Sequence, residues 1–278
     1  MGLLQSLKRL FIKEESMLTP NPSEQLKKQG ELAEEGVKPL EDATCPYCDH
    51  KFDKALSRKK KCPSCEQEVY VRTLPYKEGQ EKVRVAVTSE HADKIDIQWA
   101  KLNGTYEELM QRKRKYEKKR EDLRDSWGQE PSESDVEWHI LMDTRIEHAT
   151  NDQWGLYRNT TLSMAQHLYS LKKYEESLRI YLEVLYIDLN DPTNAGKVDG
   201  RFVKEKQPFK PKKNPSLAPA IMKRIVLLKD KRTPMEDEQV EKLFKEHNHQ
   251  VHQALATPLS PEEAWNRLEK NDAYWGKQ

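Results

Sequence analysis

The sequence predicts a mainly α-helical protein that carries one small β-sheet module built around cysteines. Two observations indicate this fold class. The only four cysteines form two C-x-x-C pairs in the first quarter of the chain, and helical periodicity with capping signals runs from Ser89 onward. Charged residues make up 34% and hydrophobic residues 36% of the 278 residues, which favours helices with wide solvated faces over one large core.

An amphipathic helix is predicted for residues 1–13. Its apolar residues share one helical face, and they are Leu3, Leu4, Leu7, Leu10 and Phe11. Three uses of this face are open: packing on the protein's own body, docking into a partner groove, and binding to a membrane surface. The polar stretch 14–42 is predicted to be a linker, with a short helix from Ser23 to Glu35 as an option. No apolar run is long enough to predict a transmembrane span.

The cysteine pairs are Cys45 with Cys48 and Cys62 with Cys65, and thirteen residues separate the pairs. A C-x-x-C turn folds two sulfurs toward one point, so two such turns can place four thiolates around a tetrahedral ion, which suits zinc. A four-cysteine iron site has the same requirement and stays open. Thiol exchange would need a βαβ unit that residues 1–44 do not provide, and disulfides would need an oxidising compartment and a secretory signal.

The residues around the second cysteine pair favour a small sheet. A basic run precedes Cys62 and consists of Arg58, Lys59, Lys60 and Lys61. β-Branched and aromatic residues between Glu66 and Thr73 then predict a strand. The alternating valines between Lys82 and Thr88 predict another strand, so the module is expected to span residues 43–88.

With its two C-P-x-C turns, basic run and strand, the stretch over about residues 43–75 resembles the zinc-ribbon modules of bacteria and phages. The resemblance implies that zinc is the cofactor and that the four cysteines bind it. It leaves DNA, RNA and protein open as partners. A module this small cannot bury enough apolar surface to fold alone, so bound zinc is expected to supply much of its folding free energy.

A helical region is predicted for residues 89–190. Its first helix runs from Ser89 to Leu102, and a capping box starts the next at Thr105, which ends near Trp127. This second helix carries basic residues on all faces with acidic neighbours, and we interpret it as an ion-paired, solvated helix. A third helix is predicted from Asp135 to Ala149, and its expected apolar stripe is Val136, Ile140, Leu141 and Ile146.

A helical hairpin is predicted for residues 154–189, where two apolar helices flank the tight turn at Lys172 and Lys173. It resembles a tetratricopeptide hairpin: Ala165 and Ser177 match its two small crossing positions, and two tyrosines match its aromatic positions, Tyr174 and Tyr181. The match departs at Val184, where the family prefers alanine. One repeat cannot bury both of its faces, so helices near 135–149 and 216–229 are expected to complete the stack.

A basic, proline-rich loop is predicted for residues 191–215, followed by C-terminal helices over 216–278. Thr233 with Glu236 is expected to cap one of these helices. His249 and His252 share a helical face at a spacing that can chelate a metal, but no third ligand is evident, so an ordinary structural role is favoured.

The sequence shows none of the common nucleotide-binding, metalloprotease or nucleophile-elbow motifs, and no cysteine remains for a nucleophile. A non-enzymatic protein is therefore expected, and an enzyme would need a pocket with convergent polar groups between helices. The preferred function is that of a protein-binding adaptor, because the helical hairpin at residues 154–189 offers a binding surface and a net charge of +1 gives no overall attraction to nucleic acid. The alternative is nucleic-acid binding through the basic run before Cys62 and the loop lysines. A reducing cytoplasm suits the four thiols.

Overall fold

The computed structural model describes residues 36–76, 79, 82–194, 196–198, 201–203, 208–213, 215 and 217–269. The helix predicted for residues 1–13 and the optional helix from Ser23 to Glu35 lie outside the described residues. Internal contacts divide the chain into two compact units, with the boundary between Lys113 and Arg114.

The first unit contains a four-stranded antiparallel sheet with the order β1-β4-β3-β2. The strands are β1 (Val37–Pro39), β2 (Lys60–Lys61), β3 (Glu68–Thr73) and β4 (Arg84–Val87). Strand β1 lies inside the segment predicted as a linker. It pairs Val37 with Val87, and both side chains are buried. Three residues are too few for an alternating pattern to be recognised in the sequence. The strand forms because the edge of β4 is open for pairing.

Helix α1 (Ser89–Leu102) has the predicted bounds and packs on the sheet of the first unit. Its Ile95 belongs to a buried cluster with the valines of β1 and β4. The Trp99 indole N–H donates to the Thr73 carbonyl at 2.8 Å, and Arg72 of β3 makes two hydrogen bonds to Asp96 at 2.8 and 3.0 Å. Helix α1 therefore belongs to the unit that contains the sheet, although the sequence predicted it as part of the helical region 89–190.

The remaining described elements are mainly helical, which confirms the predicted fold class. They are α2 (Tyr106–Trp127), α3 (Glu133–Thr150), α4 (Trp154–Ser170), α5 (Tyr174–Leu189), β5 (Gly196–Val198), β6 (Arg201–Val203), α6 (Pro219–Leu227), which continues into a π-helical turn (Leu228–Arg232), α7 (Asp237–Leu255) and α8 (Pro261–Glu269). Within the described ranges, none of the helices combines the length and the apolar character needed to span a bilayer.

Helices α4 and α5 form the predicted hairpin at the centre of the second unit. Ala165 and Ser177 are both fully buried where the helices cross, and the Ser177 hydroxyl donates to the Ala165 carbonyl at 2.8 Å. Helix α3 packs on α4, while α6 and α7 pack on α5. The flanking helices therefore cover the hairpin as expected, and α7 adds a contact that was not predicted from the sequence.

Three local expectations need correction. Ile146, predicted in the apolar stripe of α3, is 62% exposed. Helix α7 is capped by Glu236 rather than by Thr233, because the Thr233 hydroxyl closes the preceding turn by donating to the Leu228 carbonyl. The loop predicted for residues 191–215 contains the β5–β6 hairpin.

Helix α2 agrees with its interpretation as an ion-paired helix. Within the second unit, Lys115 lies 3.8 Å from Glu147 and Lys119 lies 2.5 Å from Asp143, so two of its lysines pair with carboxylates of α3. Only one of its side chains, Leu123, is buried. These two lysines of α2 are thus paired with neighbouring acids of the same unit.

Candidate metal centre

The four predicted ligands come together in the first unit. The Sγ atoms of Cys45, Cys48, Cys62 and Cys65 all lie within 4.8 Å of one another. The Cys45–Cys65 and Cys48–Cys62 sulfur pairs are each 3.8 Å apart. Residues separated by twenty positions in the chain thus meet around one point.

Two backbone hydrogen bonds close the first cysteine turn. The Cys45 N–H donates to the His50 carbonyl at 2.9 Å, and the Asp49 N–H donates back to the Cys45 carbonyl at 3.0 Å. Asp49 adopts a left-handed conformation with φ of 56°, which turns the chain back toward the sulfur atoms. Phe52 lies just beyond this turn and is buried.

The second cysteine turn repeats this geometry. The Cys62 N–H donates to the Gln67 carbonyl at 2.8 Å, and the Glu66 N–H donates to the Cys62 carbonyl at 3.0 Å. Glu66 is also left-handed, with φ of 60°. Two equivalent turns that face each other place two sulfurs on either side of a shared centre.

The sulfur geometry fits a bound metal ion and not a disulfide. A tetrahedral site with metal–sulfur bonds of about 2.3 Å has sulfur–sulfur edges of about 3.8 Å, which agrees with the two distances given above. A disulfide needs sulfurs about 2.05 Å apart, and all four thiols are free. The donor set suits zinc and iron equally well, because both accept four thiolates in a tetrahedron.

The electrostatics of the thiols differ across the site. Burial raises the pKa of the Cys45 thiol to about 12. Burial also works against ionisation of Cys62, but the backbone N–H groups of Cys65 and Ser64 hydrogen-bond to its sulfur and lower its pKa to about 6. A cation at the centre favours the thiolate form of every ligand.

The centre rests on a small apolar cluster. The cluster contains Cys45, Phe52, Leu56, Cys62, Val69 and Ala86. Cys48 is exposed and Cys65 is half-buried, so one side of the centre faces solvent. Because cysteines occupy all four corners, the arrangement has the form of a closed structural site rather than a catalytic site with an open position.

The predicted nucleic-acid residues lie on the loop and strand that lead into the second turn. They are Arg58, Lys59, Lys60 and Lys61, and all four side chains are exposed. Lys59 forms an ion pair with Glu68, and Lys61 lies 3.1 Å from Glu66. Two of the four charges are therefore already matched by acids of the same module, and nucleic-acid binding stays a prediction.

The histidine pair in α7 does not form a metal site. His249 Nε2 lies 3.0 Å from a Glu262 carboxylate oxygen, whereas His252 Nδ1 contacts the Thr257 hydroxyl at 2.8 Å. The two rings thus have different partners. Across the part of the chain that the structure describes, the four cysteines are the single group of metal-ligating side chains with suitable spacing.

Comparisons with protein families, with curated proteins and with solved structures found no match for this chain. The resemblances to a zinc ribbon and to a tetratricopeptide hairpin therefore stay predictions.

Proposed function

We propose that this protein is an adaptor whose first unit is stabilised by a bound zinc ion. A structural zinc ion bound by Cys45, Cys48, Cys62 and Cys65 holds the first unit, and the helices of the second unit present a surface to a protein partner. The observation that carries this proposal is the convergence of the four sulfurs within 4.8 Å.

A structural role for the metal is favoured by the closed ligand set. Catalytic zinc keeps a position for water or substrate, and four cysteines leave none. The apolar cluster under the centre is small, and binding of structural zinc contributes on the order of 10 kcal/mol in comparable modules. Free thiols persist in a reducing compartment, so we place the protein in the cytoplasm.

Protein binding is favoured over nucleic-acid binding by charge. The whole chain carries a net charge of +1, and Lys59 and Lys61 of the basic run already pair with glutamates. Nucleic-acid affinity comes largely from cations that neutralise phosphates, so such internal pairing reduces it. A helical hairpin covered by further helices has instead the architecture of stacked-helix scaffolds that bind proteins.

The metal proposal is tested by elemental analysis of the purified protein. We expect about one zinc per chain, a colourless solution, and loss of the metal in the Cys48→Ser variant. Ser64→Ala is the matched control, because Ser64 stands between Cys62 and Cys65 in the chain and is exposed, so its replacement should leave the metal content unchanged. Stoichiometric iron would show that the bound metal is iron and not zinc, and the absence of any stoichiometric metal would refute the proposal.

The adaptor proposal is tested by competition between two kinds of partner. Immobilised full-length protein is exposed to cell lysate at graded salt, and bound protein and bound nucleic acid are quantified separately. We expect a specific protein to be bound, and to remain bound after nuclease treatment. Nucleic acid that dissociates steeply with salt, and that is lost when Arg58, Lys59, Lys60 and Lys61 are changed to Glu, would instead support the alternative.

A further inference from the structure

An open cleft of about 480 Å³ lies within the second unit. The first turn of α3, the second half of α4, the start of α5 and the middle of α7 line it. Most of its lining side chains are polar or aromatic, among them Ser134, Trp138, His167, Lys173, Arg179 and His247. The volume is in the range of small-molecule sites, and convergent polar groups between helices are the feature that an enzyme would need here.

Two of the lining side chains, Ser134 and His167, form a continuous hydrogen-bonded chain with the neighbouring Glu137. The Ser134 hydroxyl oxygen lies 3.2 Å from His167 Nε2, and His167 Nδ1 lies 3.3 Å from a carboxylate oxygen of Glu137. One tautomer satisfies both contacts: Nδ1 carries the proton and donates to Glu137, while Nε2 accepts from Ser134. A hydroxyl, a base and an orienting carboxylate are the parts of an activated nucleophile.

The sequence explains why these groups meet. Ser134, Glu137 and Trp138 lie at i, i+3 and i+4 on α3, so they share the face that packs on α4. The Trp138 ring stacks on His167, with centroids 6.2 Å apart and an interplanar angle of 27°. The side chain of His167 is only 10% exposed, so its ring is largely enclosed.

The start of α3 is also well defined, which fixes the position of Ser134. Ser132 and Asp135 form a reciprocal capping box, and the Ser132 hydroxyl donates to the Asp135 carboxylate at 2.6 Å. This hydrogen bond lowers the pKa of Asp135, which therefore stays ionised at the helix N-terminus, where the helix dipole favours negative charge.

We propose that Ser134 and His167 hydrolyse small carboxylic esters bound in this cleft, with Glu137 as the positioning residue. Ser134 Oγ bonds to the carbonyl carbon as its proton moves to His167 Nε2. The bond to the alcohol oxygen then breaks, and Nε2 returns the proton to that oxygen. Water attacks the acyl-serine by the same route, which releases the acid and restores Ser134.

The backbone offers donors for the oxyanion that this reaction forms. The first N–H groups of a helix have no acceptor within it. The N–H groups of Asp135 and Val136 bond back to Ser132, which leaves those of Glu133 and Ser134 beside the proposed nucleophile at the positive end of the helix dipole.

The test treats the full-length protein with a fluorophosphonate, which bonds to an activated serine oxygen and expels fluoride, and locates the adduct by mass spectrometry. We expect a single adduct on Ser134. Hydrolysis of p-nitrophenyl butyrate should exceed the buffer rate and fall by at least about 100-fold in Ser134→Ala. Ser163→Ala is the control, because Ser163 is an exposed hydroxyl of α4 that bonds to the Asn159 carbonyl.

Two further variants separate catalysis from folding. His167→Gln should abolish labelling, and Glu137→Gln should slow it about tenfold, with rescue by Glu137→Asp and no change in thermal unfolding because Glu137 is 58% exposed. Absence of a Ser134 adduct in the folded protein, or ester hydrolysis unaffected by Ser134→Ala, would overturn the inference. Either failure leaves the zinc and adaptor proposals untouched, since none of their ligands or tests involves these side chains.

Discussion

Glu183 is a carboxylate buried in the middle of α5, with only 1% of its surface exposed. One of its oxygens accepts hydrogen bonds from Arg145 and from the Tyr157 hydroxyl, and the other lies 3.1 Å from His247 Nε2. These partners belong to α3, α4 and α7, so one side chain connects four helices. Burial, reinforced by the negative charge of Glu183, raises the pKa of Tyr157 to about 12, which keeps that hydroxyl a donor.

Removal of Arg145 should be strongly destabilising. The Arg145→Met variant leaves the buried Glu183 charge without its cation, and we expect the free energy of unfolding to fall by about 3–5 kcal/mol. Denaturant titration followed by circular dichroism measures this change.

The matched control is Arg179→Met, which removes the same group from an ion pair with Glu175 in which both side chains are about half exposed. It should change the free energy of unfolding by less than about 1 kcal/mol. Equal effects of the two substitutions would contradict a special role for the buried pair.

Metal binding should strengthen as the pH rises, because protons compete with the metal for the thiols. Cys45, with its pKa raised to about 12, stays protonated without metal at neutral pH and must release a proton on binding. Cys62, with its pKa lowered to about 6, releases one only below that pH. Each displaced proton changes the affinity about tenfold per pH unit.

The affinity for zinc should therefore rise more steeply with pH below about 6 than above it, because binding displaces one additional proton, that of Cys62, below this pH. Competition with a chromophoric chelator at a series of pH values measures this slope. An affinity that does not depend on pH would show that the thiols are not the ligands.

At the scale of elements, the α4–α5 hairpin depends on small residues where its helices cross. Ala165 and Ser177 allow the backbones to approach so closely that the Ser177 hydroxyl reaches the Ala165 carbonyl at 2.8 Å. The large apolar side chains of α5 then contact α6, α7 and α8 in one buried cluster. The hairpin thus carries the core of the second unit.

A larger side chain at the crossing should separate the helices. We expect Ala165→Leu to lower the free energy of unfolding by about 1–3 kcal/mol through overpacking, and to lower the melting temperature measured by calorimetry. Gln166→Leu adds similar apolar bulk at the next position, which is exposed, and should have little effect. If both variants melt at the same temperature, the close crossing does not limit stability.

At the scale of the whole molecule, the two units are stabilised by different means. The sheet of the first unit has small apolar clusters around the cysteine centre and under α1, whereas the second unit buries one large cluster across five helices. A small apolar core needs additional stabilisation, for example by a bound metal ion, whereas a large core does not.

Metal removal should therefore unfold the two units unequally. After treatment with a strong chelator, hydrogen exchange at β2 and β3 should accelerate strongly, while protection in α4 and α5 should stay within about twofold of its starting value. Mass spectrometry of peptic fragments resolves the two regions, and re-addition of zinc should restore protection. Unchanged exchange in β3 without metal would show that apolar packing alone holds the sheet.

Local sequence patterns were sufficient to predict much of the structure of this protein. The ligand set could be predicted because a C-x-x-C turn brings its own sulfurs together, and the bounds of α1 could be predicted because Thr88 and Asn103 cap it through neighbouring residues. The hairpin helices followed from periodicity within each segment and from the short turn between them. Each of these features is encoded within a few consecutive residues.

The tertiary structure decided what depends on residues far apart in the chain. Strand β1 forms only because the edge of β4 accepts it, and α1 joins the sheet because its apolar face meets buried valines. The contact of Ser134 with His167 spans 33 positions and that of Glu183 with His247 spans 64, so neither leaves a local pattern. The sequence by itself determined the candidate metal ligands and the helices, and packing between distant elements determined the cleft and the buried carboxylate.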